Sequence, residues 1–224
     1  MNFYGLPEFI AYSMLLGISY NLIRQKKEER RRYWLIGWTL IFLHAAIFML
    51  FPQAFPFNVI ARGTLAMAGQ AFILAAFHQR LRTTDRSQLL ARTGLAGAVN
   101  LIFAVASAVD ADLPTTDLRL GPFYLLIGLG AASTLWLAAV DRPKSEWRFR
   151  VSAALTVLVY ALQAWLLHVY GLTMASQWLM CWTYLAVAYF FLGQGEKLTM
   201  GVLFTALSFV LWGLVFPVYS LLMI

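Results

Sequence analysis

The chain predicts an all-α fold, a polytopic transmembrane helix bundle of about eight spans. Three observations predict it: apolar runs long enough to cross a bilayer, hinges built from Pro and Gly, and a one-sided placement of Lys and Arg. Of 224 residues, 61% are hydrophobic and 12% charged, where a soluble domain carries about 25% charged residues. Water is a poor solvent for such a surface and a bilayer is a good one. A bilayer requires every backbone group to be paired within the chain, which leaves helices or closed barrels. The runs are continuous and not alternating, so helices are expected.

A span needs about 20 apolar residues at roughly 1.5 Å rise each. The segments that qualify are 6–23, 33–51, 58–78, 93–109, 120–140, 150–170, 175–192 and 199–222. The first has no basic residue before it in MNFYGLPEF, so it is expected to stay as a span and not to be cleaved as a signal peptide. Breakers separate the others: Pro52 and Pro56 in FPQAFP, Pro114, Pro143, Gly171, and Gly193 with Gly195 in GQGEK. Asp85 or Ser87 in TTDRSQLLAR is expected to cap a short interfacial turn. No linker is long enough to divide the chain, so residues 1–224 form one domain. Cys181, the single cysteine, lies in an apolar run and excludes a disulfide framework.

Basic residues fix an expected orientation. Alternate loops hold Arg24, Lys26, Lys27 and Arg30 to Arg32, then Arg80, Arg82, Arg86 and Arg92, then Arg142, Lys144, Arg148 and Arg150, then Lys197. That is fifteen on one side, against Arg62 and Arg119 on the other. By the positive-inside rule the basic loops are cytoplasmic and both termini outside, with Asp110, Asp112 and Asp117 in an outer loop. The net charge of +7 follows from topology and points to no nucleic acid partner. Trp34, Trp147 and Trp178 fall near span ends, where belt residues sit. The small-residue stretches GLAGA (94–98) and IGLGAAS (127–133) should let helices approach closely. WLIGWT (34–39) and WLMCWT (178–183) echo each other on antiparallel spans, as an inverted repeat or chance would give.

Polar residues inside a bilayer are functional candidates by default. Glu8, Arg62, His168, Tyr170 and Gln177 lie toward the outer span ends, where they are expected to ring a pocket for a small or amphipathic ligand. Taken singly, Arg62 suits an ion pair with Glu8 or snorkelling to headgroups, and the others suit interfacial positions. His44, Gln70 and Asn100 fall near mid-depth. For His44 an interhelical hydrogen bond is expected over haem ligation, because His168 and His78 lie at other depths. Asn21 suits another such bond. No metal site and no cofactor are expected. HExxH, GxSxG, phosphate-binding glycine loops and Cys/His zinc spacings do not occur, and no lysine sits mid-span for a retinal Schiff base. The Glu28–Glu29 pair, in the most basic loop, fits a solvated charge run and not the paired glutamates of an intramembrane protease.

Two stretches carry a family resemblance: RRRYWLIGWTLIFLHAAIF (30–48) after the first arginine-rich loop, and LFTALSFVLWGLVFPVYSLL (203–222) in the last span. They resemble the multi-span N-terminal sensory regions of bacterial proteins with diguanylate cyclase (GGDEF) or histidine kinase outputs. The resemblance implies an inner-membrane, homodimeric, ligand-sensing module. No GGDEF or kinase motif occurs in this chain, and an outside C-terminus cannot feed a cytoplasmic enzyme directly. The resemblance therefore implies a ninth span and an output domain beyond Ile224. A small transporter, or a structural subunit of a membrane complex, are the alternatives from other classes.

Overall fold

The computed structural model describes residues 6–25, 29–51, 55–81, 85–109, 120–140, 146–192 and 200–222. Outside them lie Lys26, Lys27, Glu28, Arg82, Arg119, Arg142, Lys144, Lys197, the three loop aspartates, and the breakers Pro52, Pro114, Pro143, Gly193 and Gly195. The described residues are helical throughout: α1 (Leu6–Gln25), α2 (Glu29–Leu50), α3 (Phe55–Leu81), α4 (Arg86–Val109), α5 (Gly121–Val140), α6 (Glu146–Leu192) and α7 (Met200–Leu222). Every expected span falls on one of them to within a residue at either end. Among the described residues five stretches are long and apolar enough to cross a membrane: Arg30–Leu50, Pro56–Ala76, Leu90–Val109, Arg150–Tyr189 and Met200–Leu222; the expected spans 6–23 and 120–140 are not among them. These long apolar helices are consistent with a membrane protein.

The longest stretch is not one rod. Gly171 interrupts α6 with φ 80° and ψ −171°, a combination that only glycine adopts without a steric penalty. Gln163 Nε2 donates to the Ala175 carbonyl, and Ser152 Oγ lies 3.3 Å from Tyr189 Oη. In a straight helix Ser152 and Tyr189 would be about 55 Å apart at 1.5 Å per residue. α6 is therefore a hairpin, with arms 146–170 and 172–192 folded together at Gly171.

Asp85 begins α4 as a helix cap and not as a separate interfacial turn. The Ser87 amide and hydroxyl both donate to Asp85 Oδ1, at 3.1 and 2.7 Å. These bonds, the hydroxyl first, hold the Asp85 carboxyl below its ordinary value. A depressed carboxylate contributes stability above the ordinary value and loses it as pH falls through the folded one. Amide exchange in the first turn of α4 is therefore expected to quicken only below about pH 4. Asp85→Ala should remove that step and fray the turn at neutral pH as well.

α3 is the centre of the bundle. It packs between α2 and α4 and also touches α6, while α1 lies against α2, α5 joins α4 to α6, and α7 packs on α6. In the Pro56–Ala76 window 61% of residues are buried, against 17% for Arg30–Leu50 and 22% for Met200–Leu222. The outer helices instead present apolar side chains outward: on α7, Leu203, Leu207, Leu211, Leu214, Val218 and Leu221 are all exposed. Soluble monomers avoid a stripe of this extent, and lipid accommodates it.

Aromatic rings close the space where backbones stay apart. Phe72 of α3 lies against Trp34 and Trp38 of α2 and Phe209 of α7, with centroids 5.2–5.4 Å away. Tyr184 of α6 stacks on Phe209, Trp212 and Phe216. Trp34 is thus an inward ring of this cluster, correcting its expected place in an interfacial belt. Its end of α2 is near the basic loops, but its face is turned to α3 and α7. Trp147 is 63% exposed, as a belt residue should be.

Candidate functional site

The outer polar set divides among three helix pairs. Arg62 Nη1 of α3 donates to Ser107 Oγ of α4 at 2.8 Å. His168 Nδ1 on the first arm of α6 lies 3.0 Å from Tyr124 Oη on α5. Gln177 Oε1 on the second arm accepts from Ser220 Oγ on α7. Tyr170, exposed, meets Trp165 edge-on at 5.6 Å. The Glu8 side chain lies outside the described residues, as do those of His78, Arg80, Arg86 and Arg148. At this end Arg62, His168 and Gln177 act as ties between neighbouring helices.

The mid-depth set also divides. His44 Nδ1 lies 2.7 Å from the Ala61 carbonyl, which Thr64 Oγ1 also approaches at 2.8 Å, so Nδ1 carries the proton and donates. His44 therefore makes the interhelical bond expected of it, from α2 to α3. Asn21 is exposed on α1.

Gln70 and Asn100, in contrast, come together. They line a cavity of about 290 Å³ between α3, α4 and the two arms of α6. The α6 walls include Thr156 and Tyr160 from the first arm, and Trp182, Thr183 and Tyr189 from the second. Thr183 Oγ1 is turned back to the Leu179 carbonyl. Both amide atoms of Gln70, Oδ1 of Asn100 and Nε1 of Trp182 are buried and have no hydrogen-bond partner among the described residues. Asn100 is itself 7% exposed. A buried amide without a partner costs about 1–3 kcal/mol, and several such atoms belong to residues that line this one cavity.

The local sequence explains why the void persists. Gly97 of α4 lies directly under the Gln70 side chain, where a Cβ would overlap Cγ, Cδ and Oε1. Gly69 of α3 faces Thr183 in the same way, with its absent Cβ 3.0 Å from the Thr183 methyl. The glycines bring the backbones close at these two points, and the cavity lies beside them against the two arms of α6. Gly130 of the second small-residue stretch also makes a contact, to Tyr160 Oη, whereas Gly94 and Gly128 face open space. Each stretch thus uses one glycine for close approach. Trp182, Thr183 and Tyr160 were not identified from sequence. The one signal for Trp182 and Thr183 was the WLMCWT echo, which places them beside Gln70 while its partner WLIGWT places Trp38 against Phe72, two residues further along α3; Tyr160 had none.

No family model, curated protein or solved structure matches this chain.

Proposed function

We propose that this chain is the ligand-sensing transmembrane module of a bacterial signalling protein, with its ligand held in the Gln70–Asn100–Trp182 cavity. The observation that carries this is the set of buried, unpartnered donors and acceptors around one void. It suits a small ligand with an apolar body and one amide-like, hydroxyl or carbonyl group. Gln70 offers both a donor and an acceptor, Asn100 an acceptor and Trp182 a donor. Exposed Leu155 and Tyr189 at the rim suit entry from the bilayer.

The proposed topology is eight crossings with the α6 hairpin counted as two, the basic loops cytoplasmic and the N-terminus outside. In that frame the ties Arg62–Ser107, Tyr124–His168 and Gln177–Ser220 pin the outer ends of the helices that form the cavity. The cavity lies in the inner half, from Tyr160 down to Ser152 on the first arm. A ligand seated there spreads α4 from α6 where they are not pinned, so the displacement appears at the cytoplasmic end. This is a two-packing switch biased by occupancy. The resemblance of 30–48 and 203–222 to sensory regions supports such an output, through paired copies in a homodimer. Gln70 and Asn100, near mid-depth at the upper end of the cavity, also suit the alternative of a small transporter. Flux of a bound compound into liposomes separates the two, since a sensor carries none.

Asn100→Leu and Gln70→Met test the site, because each puts an apolar side chain in place of the amide and removes unpartnered polar atoms. Each should raise the free energy of unfolding in detergent by about 1 kcal/mol. Each should also empty the site: a small molecule extracted from the purified wild type and seen by mass spectrometry should be missing from both variants. A variant that is destabilised, or that retains the compound, overturns the assignment.

A further inference from the structure

A second recess lies at the basic end, on the opposite side of α3 from the ligand cavity. It measures about 740 Å³ and runs between α1, α2, the end of α6 and α7. Its walls are Leu15 and Ile23 of α1, Trp34 and Trp38 of α2, and Phe209 and Trp212 of α7. Arg30 and Arg31 stand at its mouth. The Arg30 guanidinium lies 5.4 Å from the centroid of Phe191, over the ring. Backbone packing does not close this recess. α1 and α2 pack together, α6 and α7 pack together, and side chains bridge the two pairs, among them the rings Tyr12–Trp212 and Trp38–Trp212 and the Arg30–Phe191 contact. The hydroxyls on its α7 wall add no free polarity: Thr205 and Ser208 both donate to carbonyls of their own helix.

We infer that this recess is a binding site for one anionic phospholipid of the inner leaflet. Its phosphate would sit on Arg30 and Arg31 and an acyl chain would lie along the aromatic wall between α1 and α7. The charge is confined to the mouth, where guanidinium groups match a phosphate's paired oxygens, and the wall beneath is mainly aromatic and aliphatic, with Ser19, Thr205 and Ser208 as its hydroxyls. A basic recess between helices at the cytoplasmic face is the arrangement that recruits anionic headgroups. The site stands apart from the ligand cavity and needs only that the helices lie in a membrane. Its occupant would join α1–α2 to α6–α7, the two halves that the protein itself leaves loosely joined.

The test is native mass spectrometry of the full chain from nanodiscs containing equal phosphatidylglycerol and phosphatidylcholine of matched chains. One phosphatidylglycerol should be retained in preference to phosphatidylcholine. Arg30→Gln with Arg31→Gln should weaken that preference roughly 30-fold, the effect of two basic side chains at a membrane surface at low ionic strength. Ser208→Trp, at an exposed wall position, fills the recess without touching the charges and should also release the lipid. Glycerol phosphate without chains should not compete. Equal retention of the two lipids, retention in both variants, or displacement by glycerol phosphate each overturns the inference. None of these outcomes bears on occupancy of the Gln70–Asn100 cavity, which the compound extracted from wild type reads separately.

Discussion

Gly171→Val is expected to unfold the α6 hairpin from its apex. Its backbone, at φ 80° and ψ −171°, lies where a Cβ collides with its own peptide groups, and a β-branched residue fares worst there. The strain is about 3 kcal/mol, and it has few ways to relax. Gly171 and Leu172 are both buried, and Gln163 and Ala175 lock the arms together just inside the turn. The arms also supply one wall of the Gln70–Asn100 cavity and the His168 and Gln177 ties, so splaying them removes both. Thermal unfolding in detergent should show a much lower midpoint for Gly171→Val. Gly94→Ala, in α4 and facing open space, should be neutral or better by up to about 1 kcal/mol. A Gly171→Val protein as stable as wild type would mean that the apex backbone is not constrained as described.

The positions of the helices were legible in sequence because length, apolarity and breakers are one-dimensional properties. Gly171 was identified as a hinge, and it proved to be the point where one continuous apolar stretch turns back on itself. What the sequence did not carry was azimuth. In a soluble bundle the apolar stripe shows which face of a helix is inside. Here the lipid-facing side of α7, with Leu207 and Leu211, is as apolar as its packed side, with Phe209 and Trp212. Depth could therefore be assigned to His44, Gln70 and Asn100, but their lateral neighbours could not. Gln70 and Asn100 face one void, while His44 points the other way, to Ala61. For the same reason Arg62, His168 and Gln177 stood out as polar residues in apolar runs, while their partners Ser107, Tyr124 and Ser220, each an ordinary small or aromatic residue in such a run, gave no signal. Trp34 was misassigned because proximity to a helix end does not say which way the indole faces.

Phe72→Ala is expected to be the most damaging single substitution in the core. The ring is fully buried, and it touches Trp34, Trp38 and Phe209, so it joins α2, α3 and α7. In a soluble protein such a truncation costs about 3–5 kcal/mol. Part of that is transfer from water, which is absent here because lipid is as apolar as the core. The cavity and lost dispersion remain, so a loss of about 3 kcal/mol is expected. Gly37 provides the internal control. An added Cβ there would stand 2.5 Å from Phe72 Cε1 and 2.8 Å from two further ring atoms, and the enclosed ring cannot move aside. Gly37→Ala alone should therefore destabilise by about 1–3 kcal/mol through overpacking. Combined with Phe72→Ala, the new methyl enters the void left by the ring, and the double variant should be more stable than the sum of the two losses by about 1 kcal/mol or more. Strict additivity in that cycle, measured by unfolding in detergent, would show that α2 and α3 do not meet at Gly37 and Phe72. The coupling bears on the proposed switch as well. The α2–α3 contact lies across α3 from the Gln70 cavity, so a shift of α3 on the proposed ligand binding would press on this ring.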